Sequence, residues 1–131
     1  MHSLKNIDLQ YGFKATNNTT VRRLFIGDLA YSGIVRNLYI DDYRAGGSYY
    51  SSSKGKTFVA RSASLLGNVY GNVENVHLSD AEITTYEYAA GIACYVAPSG
   101  EIKDCSVTNL KITYNDPDEV NAESYVGGIA G

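Results

Sequence analysis

The stretch Gly71-Asn72-Val73-Glu74-Asn75-Val76-His77-Leu78 decides the fold. Apolar and polar residues alternate on each side of Asn75, which is the period of a half-buried strand. The core of the pattern, apolar–x–Asn/Asp–apolar–x–apolar, recurs as Leu4-Lys5-Asn6-Ile7-Asp8-Leu9, Val35-Arg36-Asn37-Leu38-Tyr39-Ile40 and Ile102-Lys103-Asp104-Cys105-Ser106-Val107. Successive copies start 31, 38 and 29 residues apart. Gly33, Gly71 and Gly100 each precede a copy by two positions. Gly and Asn at fixed offsets suit tight bends, because both tolerate left-handed dihedrals. No stretch sustains the i, i+3, i+4 spacing of an amphipathic helix over three turns.

A second element recurs beside the first. Glu87-Tyr88-Ala89-Ala90-Gly91-Ile92-Ala93-Cys94 matches Ser124-Tyr125-Val126-Gly127-Gly128-Ile129-Ala130-Gly131 without a gap. Weaker copies are Ala63-Ser64-Leu65-Leu66-Gly67 and Leu24-Phe25-Ile26-Gly27. One such unit cannot bury its own apolar face, whereas stacked units can. The expected fold is therefore all-β, a right-handed parallel β-helix (solenoid) of about three to four coils, fragment-like at both ends. One repeat region spans 1–131. It divides into a partial coil 1–23, coils of approximately 24–63, 64–90 and 91–127, and the start of a next coil at 128–131.

Aligning the units predicts inward columns: Val35, Val73, Ile102; Leu38, Val76, Cys105; Ile40, Leu78, Val107; Tyr43, Ala81, Leu110; and Ala45, Ile83, Ile112. The outward positions Arg36, Glu74, Lys103 and Arg44, Glu82, Lys111 both run plus, minus, plus, which favours stacking modestly. Asn6, Asn37, Asn75 and Asp104 are expected in one polar ladder, with Lys5 beside Arg36. Variable loops project from one corner, the first being 46–56.

The element at 124–131, with the one at 88–94, resembles the GLUG motif, a Gly-Gly-apolar-apolar-Gly run. In that family a Gly-x-apolar-x-Asn-apolar element follows, as Gly71-Asn72-Val73-Glu74-Asn75-Val76 follows Leu65-Leu66-Gly67 here. The resemblance covers about 24–131, with Cys94, Ser64 and Leu24 departing from the Gly pattern. It implies a right-handed parallel β-helix from a large bacterial surface or secreted protein, adhesin-like, with a display role and no active-site residues. It also implies that the chain stacks on further repeats of a longer protein. The first residues carry no signal-peptide pattern, so a surface or secreted location rests on a leader in the parent protein. Neither end shows a polar capping unit.

Composition agrees with a display module. Thirteen Gly and twelve Tyr accompany 19% charged residues and a net charge of −3. Residues 1–61 hold nine Lys/Arg against four Asp/Glu, and residues 62–131 two against ten. The basic residues are scattered, with Arg22-Arg23 as the only adjacent pair, so no nucleic-acid partner is expected. No apolar run reaches the ~18 residues of a membrane-spanning helix.

No catalytic, cofactor or metal site emerges, and no enzyme is expected. His77 reads as a solvated face residue, and the only other histidine is His2. Asp41-Asp42 and Asp80-Glu82 offer paired carboxylates for glycoside cleavage or calcium-assisted lyase chemistry. Their aligned neighbours include Arg44 and Lys111, which is not an acidic cluster. Asn115-Asp116-Pro117-Asp118-Glu119 has oxygen ligands for calcium but lacks EF-hand spacing. Asn17-Asn18-Thr19-Thr20 reads as a turn. Cys94 and Cys105 read as free core thiols rather than a disulfide. Exposed tyrosine suits glycans and protein partners, so Tyr49, Tyr50, Tyr86 and Tyr88, in or beside the variable corner, are the candidate ligand contacts. The expected function is structural display with adhesion-type binding to a host or cell-surface glycan or protein. The alternatives are a β-helix polysaccharide lyase or hydrolase and a passive stalk spacer.

Overall fold

Asparagine and aspartate at bend positions, between runs of alternating β-branched residues, produce strands that turn corners without breaking. The computed structural model describes residues 2–9, 22–52, 55–114 and 125–131. Its elements are β1 (His2–Leu9), β2 (Arg22–Leu29), β3 (Ile34–Gly46), β4 (Ser48–Ser51), β5 (Lys56–Val59) and β6 (Ser62–Val69). They continue as β7 (Asn72–Thr85), β8 (Tyr88–Ala90), β9 (Ala93–Val96), β10 (Glu101–Lys103), β11 (Ser106–Tyr114) and β12 (Tyr125–Gly127). The described residues are all-β, with no helix.

Two five-stranded sheets carry the fold. Sheet A holds β1, β3 and β7 in that order, with β10 and β11 both on β7. Sheet B holds β2, β6, then β8 and β9, then β12 on β8. Every pairing within the two sheets is parallel. Apart from the β4–β5 hairpin, the chain visits the sheets alternately, and each return lands beside the previous visit. Parallel neighbours require such crossovers.

The register in sheet A follows the sequence alignment from β3 onward. Val35, Leu38, Ile40, Tyr43 and Ala45 pair with Val73, Val76, Leu78, Ala81 and Ile83. Ile102, Val107, Leu110 and Ile112 extend those columns on the other side of β7. The spacing of inward residues alternates three, two, three, two because one residue at each bend has positive φ. These are Asn37 (57°), Asp42 (59°), Asn75 (54°), Asp80 (51°), Asp104 (53°) and Asn109 (53°). A left-handed residue turns the chain and restores the inward phase of the next one. Asn75 Nδ2 donates to Asn37 Oδ1 at 2.9 Å, and Asn109 Nδ2 donates to Asp80 Oδ1 at 3.0 Å. There are thus two polar corner ladders, not the single one expected.

The first strand departs from the expected register. Leu4 pairs with Ile40 rather than Val35, and Ile7 with Tyr43. Asn6, itself at φ 57°, therefore continues the Asp42–Asp80–Asn109 corner. Asp8 lies beside Arg44, not in the column of Tyr39, His77 and Ser106. The motif Leu4–Leu9 fits either bend, and the second wins on charge. Lys5 moves from beside Arg36 to Asp41, with Nζ–Oδ2 at 4.0 Å. The column Asp8, Arg44, Glu82, Lys111 then alternates in sign over all four positions.

The core lies between the sheets. Val73, Val76, Leu78 and Ile83 of sheet A and Leu65, Leu66, Val69 and Ile92 from the sheet B side are fully or nearly fully buried. Tyr43 crosses this space, and its hydroxyl donates to the Ser64 carbonyl at 2.7 Å. Burial pushes its phenol well above the usual tyrosine range. The first variable loop becomes the antiparallel hairpin β4–β5. It leaves β3 at Gly46, whose φ of 92° and contact with the Thr84 backbone admit no side chain. Asn115–Glu119 and Asn17–Thr20 lie outside the described residues.

Candidate functional site

Small residues in sheet B leave room that larger flanking residues enclose. The registers Arg22–Ser62–Tyr88–Tyr125 and Asp28–Asn68–Tyr95 set polar and aromatic residues side by side across the strands. Between these rows lies a cavity of about 450 Å³. That falls within the range of small-molecule sites. Ser62 and Cys94 line its buried base, and Tyr70, Tyr88, Tyr95 and Asn68 form walls. Arg22 and Arg61 complete the lining.

Each wall is held in place. Tyr88 stacks on Tyr125 with ring centroids 5.0 Å apart and planes 7° from parallel. Tyr70 meets Tyr31 at 5.3 Å. Arg61 binds Glu87 through two bonds, Nε to Oε2 at 2.5 Å and Nη2 to Oε1 at 2.9 Å, and lies 5.9 Å from the Tyr88 ring centre. The hydrogen bond to Glu87 raises the guanidinium pKa further. Arg22 reaches Asp28 at 3.3 Å from one nitrogen and passes over Gly67, where a Cβ would meet both this guanidinium and the Gly27 carbonyl.

Sheet B also contains a one-residue irregularity. Ala63 pairs with Ala89, yet Leu66 pairs with Ala93, so β8–β9 carries one extra residue, a bulge. The match of 88–94 to 125–131 holds without a gap, with Tyr88 beside Tyr125 and Ala93 bridging Ala130.

The candidate tyrosines separate. Tyr88 lines the cavity. Tyr86 is half-buried beside the hairpin base, its N–H donating to Ala60 O at 3.1 Å. Tyr50 projects from the hairpin at 63% exposure. Tyr49 belongs to β4, but its side chain is not among those described. Tyr50 is not among the residues that line the cavity. Sequence reading missed Arg22, Arg61, Asn68, Tyr70 and Tyr95. Their signal was the alignment of polar positions across sheet B, which the bulge hides at Tyr95.

Other candidates find structural roles. His77 is half-buried rather than solvated, with Nδ1 2.7 Å from Ser106 Oγ and Nε2 2.8 Å from Asn75 Oδ1. Asp41 accepts from the Ser79 hydroxyl at 2.8 Å, and Tyr39 lies 3.1 Å from the same hydroxyl. Asp42 and Asp80 occupy left-handed corners. Cys94 and Cys105 are both free. Burial pushes each thiol up, against opposing hydrogen bonds. Among the described residues no group of three His, Cys, Asp or Glu is placed to hold a metal ion, and no helix is long and apolar enough to cross a membrane. Comparison with protein-family models, curated proteins and solved structures found no match in any of the three.

Proposed function

We propose that this chain is a stretch of right-handed parallel β-helix that displays a ligand-binding groove, in the manner expected of GLUG-type repeats on bacterial surface or secreted proteins. Alternate visits to two parallel sheets, each in chain order, are the connectivity of such a coil. Right-handedness follows from the near-universal hand of parallel crossovers. The observation that carries the binding role is the Tyr70, Tyr88, Tyr95 and Arg22 surround of the cavity beside sheet B. Aromatic faces and guanidinium groups supply contact area with little loss of conformational freedom. Repetition of weak sites along a longer array would give avidity.

Catalysis is not part of this reading. Asp42 and Asp80, the carboxylates a lyase reading would use, hold backbone corners and pair with Arg44 and Asn109. The test is a labelled chain applied to arrays of glycans and of surface proteins. Binding that Tyr88→Ala abolishes, with strand content intact by circular dichroism, supports display with recognition. Equal binding by both chains would place recognition outside this groove, and binding by neither would leave a passive spacer. Glycan cleavage lost in Asp42→Ala or Asp80→Ala would favour the enzyme.

A further inference from the structure

Resting on that reading, we infer that the sheet B groove takes an acidic saccharide, a sugar bearing a carboxylate. Among the described residues the lining contains two guanidinium groups and no carboxylate, in a chain whose net charge is −3. The carboxylates that pair with those cations, Asp28 and Glu87, contact lining residues without being part of the lining. Arg61 is fixed by its two-bond contact with Glu87. Arg22 is the more adaptable cation. It meets Asp28 through a single nitrogen at 3.3 Å, with both side chains substantially exposed. A carboxylate entering above Gly67 would meet the guanidinium fork, which matches its two oxygens.

The rest of the groove fits a pyranose ring. Tyr95, 48% exposed, offers an aromatic face for the apolar side of a sugar, and Tyr88, held between Tyr125 and Arg61, adds wall area. Asn68 beside Tyr95 and Ser62 beside Tyr88 add an amide and a hydroxyl to the lining. Ser62 and Asn68 are six positions apart on one strand, about 20 Å at the usual strand rise. That length suits several linked sugars. An acidic peptide gains less here. The groove runs along β6, which is paired on both sides, by β2 and by β8 and β9, so its central strand offers no free backbone edge for strand addition. A nucleic-acid strand needs a continued track of cations along its phosphates, and the lining has two among the described residues.

The experiment is isothermal titration of the chain with trigalacturonate and with the same trisaccharide after reduction of its carboxyl groups. The acidic form should bind at least about tenfold more tightly, the difference expected for loss of one charge-assisted contact. Arg22→Ala should erase that preference, Arg22→Lys should keep part of it, and Tyr95→Ala should weaken both sugars alike. Added salt should weaken only the acidic form. Equal binding of the two sugars would overturn the acidic preference and leave a glycan groove in place. Binding of neither sugar would overturn the saccharide inference, while protein capture on the arrays still decides the display reading. Tighter binding of an oligothymidylate or an oligoglutamate than of trigalacturonate would also overturn it.

Discussion

Replacing Asn75 separately by Ala and by Gly tests the left-handed corners on which the sheet A register depends. Asn75 has φ 54° in the middle of β7. Its side chain donates to Asn37 at 2.9 Å and accepts from His77 at 2.8 Å. Both replacements lose these bonds, at about 0.5–1.5 kcal/mol each. Ala must also hold a left-handed backbone, costing about 1–2 kcal/mol. Gly avoids that strain but loses more entropy on folding, about 0.5–1 kcal/mol. The Asn75→Gly chain should therefore be the more stable of the two by about 1 kcal/mol. Glu74, adjacent, exposed and without positive φ, is the control. There Gly should be less stable than Ala by about 0.5–1 kcal/mol. Urea denaturation followed by circular dichroism reads all four chains. Equal m-values would show that the differences reflect stability alone. The prediction is a reversal of sign between neighbouring residues. An Asn75→Ala chain as stable as the Asn75→Gly chain would refute the corner assignment.

Four further outcomes follow from the core and the charge columns. Tyr43→Phe removes a buried hydrogen bond to Ser64 and should cost about 1 kcal/mol in the same urea assay. The raised pKa values of Tyr43, Cys94 and Cys105 give the pH dependence its sign. Above about pH 9 the unfolded chain releases protons that the folded chain retains, so stability should fall as pH rises, less steeply in Tyr43→Phe. Glu82→Lys places a cation between Arg44 and Lys111 and should cost about 0.5–1 kcal/mol at low salt, less at high salt. Iodoacetamide should modify Cys105 faster than Cys94 in the folded chain, by peptide mass spectrometry, because Cys94 is the more buried thiol.

Sheet A was legible because its inward residues repeat at fixed offsets from an Asn or Asp. Val73, Val76, Leu78, Ala81 and Ile83 found their neighbours from pattern alone. The same pattern misled at β1. Leu4–Leu9 is compatible with either of two bends five residues apart, and only the neighbouring charges of Lys5 and Asp8 distinguish them. Asp42, Asp80 and Asn109 were not read as corners, because Asp also suits an exposed strand position. In the candidate site, Tyr88 was found as an exposed aromatic beside a motif. Tyr95 was not, because the extra residue between Ala89 and Ala93 shifts the alignment that sets it beside Asn68, and Arg22 and Arg61 were not, because basic residues so far apart read as scattered along the sequence. Contacts across strands that are tens of residues apart depend on register, and a one-residue bulge is enough to hide them.

Register is also what an experiment can read most directly. Arg36 and Glu74 pair across β3 and β7, a separation of about 4.8 Å, within disulfide range. With both positions changed to Cys, mild oxidation of the folded chain should join their two peptides, as read by mass spectrometry after alkylation of the remaining thiols. Cys at Arg36 and at His77, three residues out of register, should remain unjoined. A crosslink to position 77 in preference to position 74, or none to either, would contradict the parallel stack.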